Sequence, residues 1–177
     1  MPAIVKLASI PGLAPRPLYV LVAGGIAVGK SHVIREAKLG FPIMDVDDVM
    51  DEIGSADYEG RAFRDAIEII GGRIETIISE RRSLVAMGTC SDLAFTIDRL
   101  HGARMKGYAT VLVHVTAPLD QALAQNEERR VKGRRTVALQ WSGKIAATAE
   151  ASAKVVDVVS ETTLVDFLAR IDNRRRR

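Results

Sequence analysis

Apolar positions along the chain repeat with two different periods. Residues 18–23 form an unbroken apolar run, the mark of a strand buried on both faces. Short runs at 42–44, 83–87, 109–115 and 155–159 predict further strands. Between them apolar residues recur at helical spacing. Val33, Ile34 and Ala37 share one face of a helix that Gly40 and Pro42 stop. Phe63, Ile67, Ile70, Ile74 and Ile77 mark a longer helix, in which Gly71-Gly72 is an expected kink or split. Leu93, Ile97 and Leu100, with the stem of Arg104, are the expected inward face of the next helix, capped by Ser91-Asp92. Pro118 opens a helix carrying Leu119, Ala122, Leu123 and Asn126. An Ala-rich helix follows at about 137–153, with Trp141 as its packing anchor and base stacking as the rarer alternative. Leu164, Phe167, Leu168 and Ile171 predict a last helix. Strands alternating with helices imply an α/β fold, a parallel sheet covered on both faces with right-handed crossovers. Spacing alone does not order the strands.

The first strand ends abruptly in Gly24-Gly25-Ile26-Ala27-Val28-Gly29-Lys30-Ser31, a complete G-x-x-x-x-G-K-[ST] phosphate-binding loop with a strand before it and a helix after. Gly24 and Gly29 allow backbone angles that a side chain resists. The successive N–H groups of Gly25, Ile26, Ala27, Val28, Gly29, Lys30, Ser31 and His32 are expected to curl around phosphate oxygens at the helix N-terminus. Lys30 would reach the outer phosphates of ATP, and Ser31 would ligate Mg²⁺.

The second strand runs into Asp45-Val46-Asp47-Asp48. Acidic residues at the end of a parallel strand beside a phosphate loop lie where α/β sheets place their ligands. Catalysis or Mg²⁺ binding is the reading favoured here, against plain capping by Asp45 or Asp47 of a helix starting at Val49. The three histidines and the single Cys90 share no spacing that would make a metal set. His101, one position off its helix's apolar stripe, and His114, inside the fourth strand, read as packing residues.

Composition changes this picture in a few places. A chain of 177 residues fits one domain, and 47% apolar content suits a globular protein. No apolar stretch approaches the roughly 18 residues of a membrane span, and residues 1–17 read as a lead-in arm in place of a signal peptide. One cysteine cannot form an internal disulfide, which fits a cytoplasmic setting. The net charge of +3 is local in origin. Setting aside the four arginines Arg174 to Arg177 leaves 21 basic against 22 acidic residues. The remaining positive character gathers at Arg129, Arg130, Lys132, Arg134 and Arg135. Local basic patches point to phosphate-bearing partners.

With these motifs in hand, the chain resembles the small phosphate-loop kinases of the zeta-toxin and polynucleotide-kinase type. The likeness runs from about 18 to 171. It rests on GGIAVGKS, on DVDD some way downstream, on Gly88-Thr89, on KGY before the fourth strand, and on QNEERRVKGRRTV in lid position. It implies a three-layer fold with a five-stranded sheet in the order 2-3-1-4-5, a kinase domain at 18–172, a lid at about 125–136 and a basic tail at 173–177. It also implies transfer of the γ-phosphate of ATP to an alcohol. Asp47 matches the family's general base and Asp45 the first acid of its D-x-D form. Arg129 matches a lid arginine, with Arg134 or Arg135 as another. Asp45, Asp48, Thr89 and Arg135 are the expected acceptor contacts, and Ser31 with Asp45 the expected Mg²⁺ contacts. The chain departs from the family in carrying Met87 where zeta toxins have Glu, and Gln125 at a common lid arginine. The expected acceptor is nucleic acid, either a 5′-hydroxyl end or a hydroxymethylated base such as 5-hydroxymethyluracil in viral DNA. A small metabolite or sugar nucleotide is the alternative. A nucleotide-binding switch or nucleic-acid-binding ATPase is the rival from another class.

Overall fold

A computed structural model of the chain describes residues 16–54, 60–131 and 145–154. In chain order these form β1 (Leu18–Ala23), α1 (Lys30–Glu36), β2 (Ile43–Met44), α2 (Val46–Glu52), α3 (Arg61–Ser79), β3 (Leu84–Met87), α4 (Leu93–Met105), β4 (Ala109–His114) and α5 (Leu119–Val131). A further helix, α6, spans residues 145–154.

Among the described residues the sheet has four strands in the order β2-β3-β1-β4. All pairings are parallel. β1 lies between β3, in register Tyr19 with Leu84, and β4, in register Leu18 with Ala109. This central place explains its unbroken apolar run, because both faces are covered. Tyr19 and Leu21 point to one side with Leu84 and Ala86, where Ile77 of α3 and Leu100 and Ala103 of α4 pack on them. Val20 and Val22 point to the other, against Ile34 of α1, Ala122 of α5 and Ile145 of α6. The period-2 alternation of a strand thus feeds two helical layers. The expected fifth strand at 155–159 and the last helix lie outside the described residues, as do Trp141, Arg134, Arg135 and the basic tail. No helix among the described residues is long and apolar enough to cross a membrane.

Several expectations are corrected. α2 begins at Val46 and not Val49, with Asp45 as its N-cap accepting from the Asp47 amide at 3.2 Å. α3 runs unbroken through Gly71 and Gly72. A Cβ at either glycine would meet nothing within 4 Å, so they cost the helix only propensity. Phe63, Ile70, Ile74 and Ile77 pack inward as expected, but Ile67 is exposed and Ala66 is buried in its place. α4 behaves likewise. Thr96, Leu100 and Ala103 face inward, while Leu93 and Ile97 face out. A threonine is tolerated inside because its hydroxyl donates to the Asp92 carbonyl at 2.6 Å. In α5, Ala122 and Asn126 are buried and Leu119 and Leu123 are exposed. His101 is exposed and does not pack inward.

Candidate active site

The loop after β1 returns tightly to the sheet edge. Gly24 takes φ +155°, and a Cβ there would lie 2.3 Å from the Val115 carbonyl oxygen, so no other residue fits. Gly29, the residue before α1, takes φ +88°. Ala27 also adopts a left-handed backbone, φ 60°, although it carries a Cβ. Strain of this kind costs on the order of 1–3 kcal/mol and collects where a loop is shaped for a ligand.

Lys30 folds back over the loop. Its ammonium donates to the Gly24 carbonyl at 3.0 Å and the Gly25 carbonyl at 2.7 Å. Burial lowers its pKa, and the charges of Asp45 and Asp47 oppose that shift. The next residue, Ser31, donates its hydroxyl to Asp45 Oδ2 at 2.8 Å. Asp45 is buried at 6% exposure. Burial pushes its carboxyl above the usual range, the Asp47 charge adds to this, and the bonds from Ser31 and the Asp47 amide hold it down. Asp47 sits in the first turn of α2, half-buried, with its charge bearing on both Lys30 and Asp45. Arg129, half-buried on α5, also acts on Lys30. The neighbouring turn of α5 brings Gln125 beside the loop, its Oε1 3.7 Å from where a Cβ on Gly29 would lie.

The structure therefore gathers Lys30, Ser31, Asp45, Asp47 and Arg129 at the carboxyl edge of the sheet. Other expected contacts are engaged elsewhere. Asp48 pairs with Arg35 at 2.5 Å on the outside of α1, and the His32 side chain faces Glu36 at 3.7 Å in solvent. The backbone amide of His32 takes no part in that contact, whereas the Ile26 amide, expected on phosphate, donates to the Thr148 hydroxyl at 3.3 Å. Thr89 shares a hydrogen bond with Ser91 at 3.1 Å.

Sequence reasoning missed Cys90. It follows β3 in a left-handed conformation, φ 49°. Burial raises its thiol pKa, while Arg99, a hydrogen bond with Thr96, and Lys30 act the other way. Its signal in the sequence was its place after Gly88-Thr89, since β3 adjoins β1. Gln125 was singled out only as a departure, and Thr148 carried no sequence signal.

For Mg²⁺ the donor set is suitable in kind. Ser31 and Asp45 offer hard oxygen atoms, and Mg²⁺ in phosphate-loop enzymes takes one or two carboxylates with substrate phosphates and water. Among the described residues there is no cluster of three or more His, Cys, Asp or Glu that would hold a metal alone.

No protein-family model and no curated protein matches the sequence. Solved structures do. One protein of the Pnkp1/Rnl/Hen1 RNA repair complex superposes with a TM-score of 0.68 at 11% identity, over 85% of this chain and 48% of its own. The chain shares the fold of these proteins. A provisionally assigned kinase of Chloroflexus aurantiacus gives a TM-score of 0.58 at 20% identity, over 71% of this chain and 74% of its own. A chain of the PezAT chromosomal toxin–antitoxin system of Streptococcus pneumoniae gives 0.52 at 19%, over 67% and 57%. The chain thus spans about half the length of the repair-complex protein.

Proposed function

We propose that the chain is an ATP-dependent kinase that moves the γ-phosphoryl group to a hydroxyl on nucleic acid. The observation that carries this reading is the arrangement of the loop, with Lys30 held on the Gly24 and Gly25 carbonyls and Ser31 beside it donating to Asp45 at the β2–α2 junction. Phosphoryl transfer needs positioning and charge neutralisation more than covalent help from the protein. The loop amides and Lys30 hold the β- and γ-phosphates. Asp47 receives the proton of the acceptor hydroxyl as its oxygen attacks the γ-phosphorus, and the bond from that phosphorus to the β–γ bridging oxygen breaks to release ADP. Arg129 neutralises charge on the transferring group. Mg²⁺, held by Ser31 with Asp45, supplies further neutralisation when bound.

The basic run on either side of Gly133 and the arginine tail favour a polyanionic acceptor, because cationic groups gain from counterion release. A fold neighbour drawn from an RNA repair complex points the same way. The test is incubation with γ-labelled ATP against DNA, RNA, nucleosides and sugar nucleotides. Label on a polynucleotide is the expected result. Label confined to small molecules overturns the acceptor assignment and favours the metabolite kinase. Slow hydrolysis with no labelled acceptor favours a nucleotide switch. Failure of folded protein to take up triphosphate overturns the reading entirely.

A further inference from the structure

The peptide unit joining Gly25 to Ile26 is gripped at both ends by side chains from distant parts of the chain. Its carbonyl accepts from the Lys30 ammonium at 2.7 Å. Its N–H donates to the Thr148 hydroxyl at 3.3 Å. Thr148 in turn donates to the Ile145 carbonyl at 3.1 Å, so its proton is committed to its own helix and a lone pair is left for the loop. Ala149 closes the same spot. A Cβ on Gly25 would lie 2.9 Å from both the Cα and the Cβ of Ala149, which is why the second loop position is glycine. Ile145 and Ser152, on the same face of α6, are buried at 1% and 0% exposure. A face of mostly small residues therefore seats α6 directly on the phosphate loop.

We propose that Thr148 is a positioning residue of the triphosphate site, holding the Gly25–Ile26 peptide with its carbonyl on the Lys30 ammonium and tying α6 to the loop. This rests on the reading of the loop as an ATP site. The reason lies in what Lys30 must do. Its ammonium has three N–H groups, two of them on the Gly24 and Gly25 carbonyls, and a phosphate that draws it outward loosens those two bonds. The Thr148 hydroxyl then remains as the hold on that peptide. If that hold is lost, the N–H loses its partner and the peptide is free to flip. A flip carries the Gly25 carbonyl away from the Lys30 ammonium, which then loses one of the two contacts that place it over the loop.

The test uses the full chain and Mg·ATP in a calorimetric titration. Thr148→Val keeps the shape and removes the acceptor, whereas Thr148→Ser keeps the hydroxyl. Binding about tenfold weaker for Thr148→Val and within about twofold of the parent for Thr148→Ser is expected, the scale of one amide left unpaired. Unchanged affinity in Thr148→Val, even with a lowered melting temperature, overturns the proposal, as does an equal loss in both variants. Hydrogen exchange in the unmutated protein gives a second measurement, independent of whether the valine variant folds. An Ile26 amide that exchanges at least about tenfold more slowly than a free amide supports the bond, and exchange at the free rate overturns it. If the folded parent takes up no triphosphate, the kinase reading fails instead, and the exchange rate still decides whether Thr148 holds the loop.

Discussion

The Ser31 hydroxyl donates to the Asp45 carboxylate at 2.8 Å, joining the end of the phosphate loop to the end of β2. The two residues lie on crossover segments that leave the sheet at different strands, with β3 between them in strand order. Their contact places an oxygen pair suited to Mg²⁺ beside Lys30. It also buries a carboxylate whose charged form the surroundings disfavour.

That cost makes a stability prediction. A carboxyl with a folded pKa above its unfolded value binds more protons when folded, so metal-free protein loses stability as pH rises from the usual 3.8 through the raised folded value. Asp45→Asn removes the charge and keeps one oxygen to accept from the Asp47 amide, while its NH₂ takes the other place and can donate to the Ser31 hydroxyl. Its melting temperature in the presence of a chelator is expected to exceed the parent's, with the gap widening from about pH 4 to about pH 7. Thermal melts across that range check it, and Mg·ATP affinity is expected to fall in the same variant.

Lys30 and Asp47 separate binding from chemistry. Lys30→Ala is expected to abolish measurable Mg·ATP binding while the circular dichroism spectrum stays that of the parent. Asp47→Asn is expected to leave triphosphate affinity within about threefold of the parent and lower phosphoryl transfer by roughly two to four powers of ten. Full turnover in Asp47→Asn would mean that another group takes the proton.

Arg129 acts on Lys30 from α5. An arginine that neutralises charge in the transition state contributes about three to five powers of ten in related chemistry. Arg129→Ala is expected to slow transfer on at least the lower end of that scale with little change in triphosphate affinity. Arg129→Lys is expected to restore little, because a point charge does not replace a planar fork of donors. Single-turnover rates with labelled ATP measure both.

Gly24 carries a stability prediction of its own. With φ at +155° and the Val115 carbonyl oxygen 2.3 Å from any Cβ, Gly24→Ala has to move the end of β1 or the start of the β4–α5 connection. A loss of roughly 3 kcal/mol or more is expected, read by urea unfolding. Gly71→Ala, at an exposed helical position where a Cβ meets nothing within 4 Å, is expected to stabilise by about 0.5–1 kcal/mol.

Counterion release gives the last expectation. If the acceptor is a polynucleotide, affinity for it falls linearly in log–log terms with salt concentration. A small-metabolite kinase shows no DNA affinity at moderate salt, so a titration at two ionic strengths distinguishes the two.

How far the residues could be read in advance varied from element to element. β1 and β3 were legible because a strand covered on both faces is apolar at nearly every position, and β4 because an apolar run of Val111 to Val113 lies at its centre. Helix existence was legible as well, and most of the inward face of α3 with it, but single positions were not. Ala66 faces inward and Ile67 outward, and Thr96 is buried while Ile97 is exposed. Hydrophobicity ranks the isoleucines first, whereas the contact of α3 with Val49 and Met50 of α2 takes the smaller Ala66, and a local hydrogen bond satisfies the threonine. The site divided in the same way. The loop, Asp45 and Asp47 stood out because their chemistry is written in consecutive residues. Asp48 had the same local signal, yet it pairs with Arg35.

The sequence by itself determined the phosphate loop, its flanking strand and helix, and the acids that follow β2, since each depends on neighbours within a few residues. Only the tertiary structure decided which groups meet across the loop: Ser31 with Asp45, Arg129 and Cys90 around Lys30, and Thr148 on the Ile26 amide 122 positions away. Those meetings follow from strand order and helix seating. Both are set by how side-chain volumes fill the two layers beside the sheet, and no local pattern along the chain encodes that.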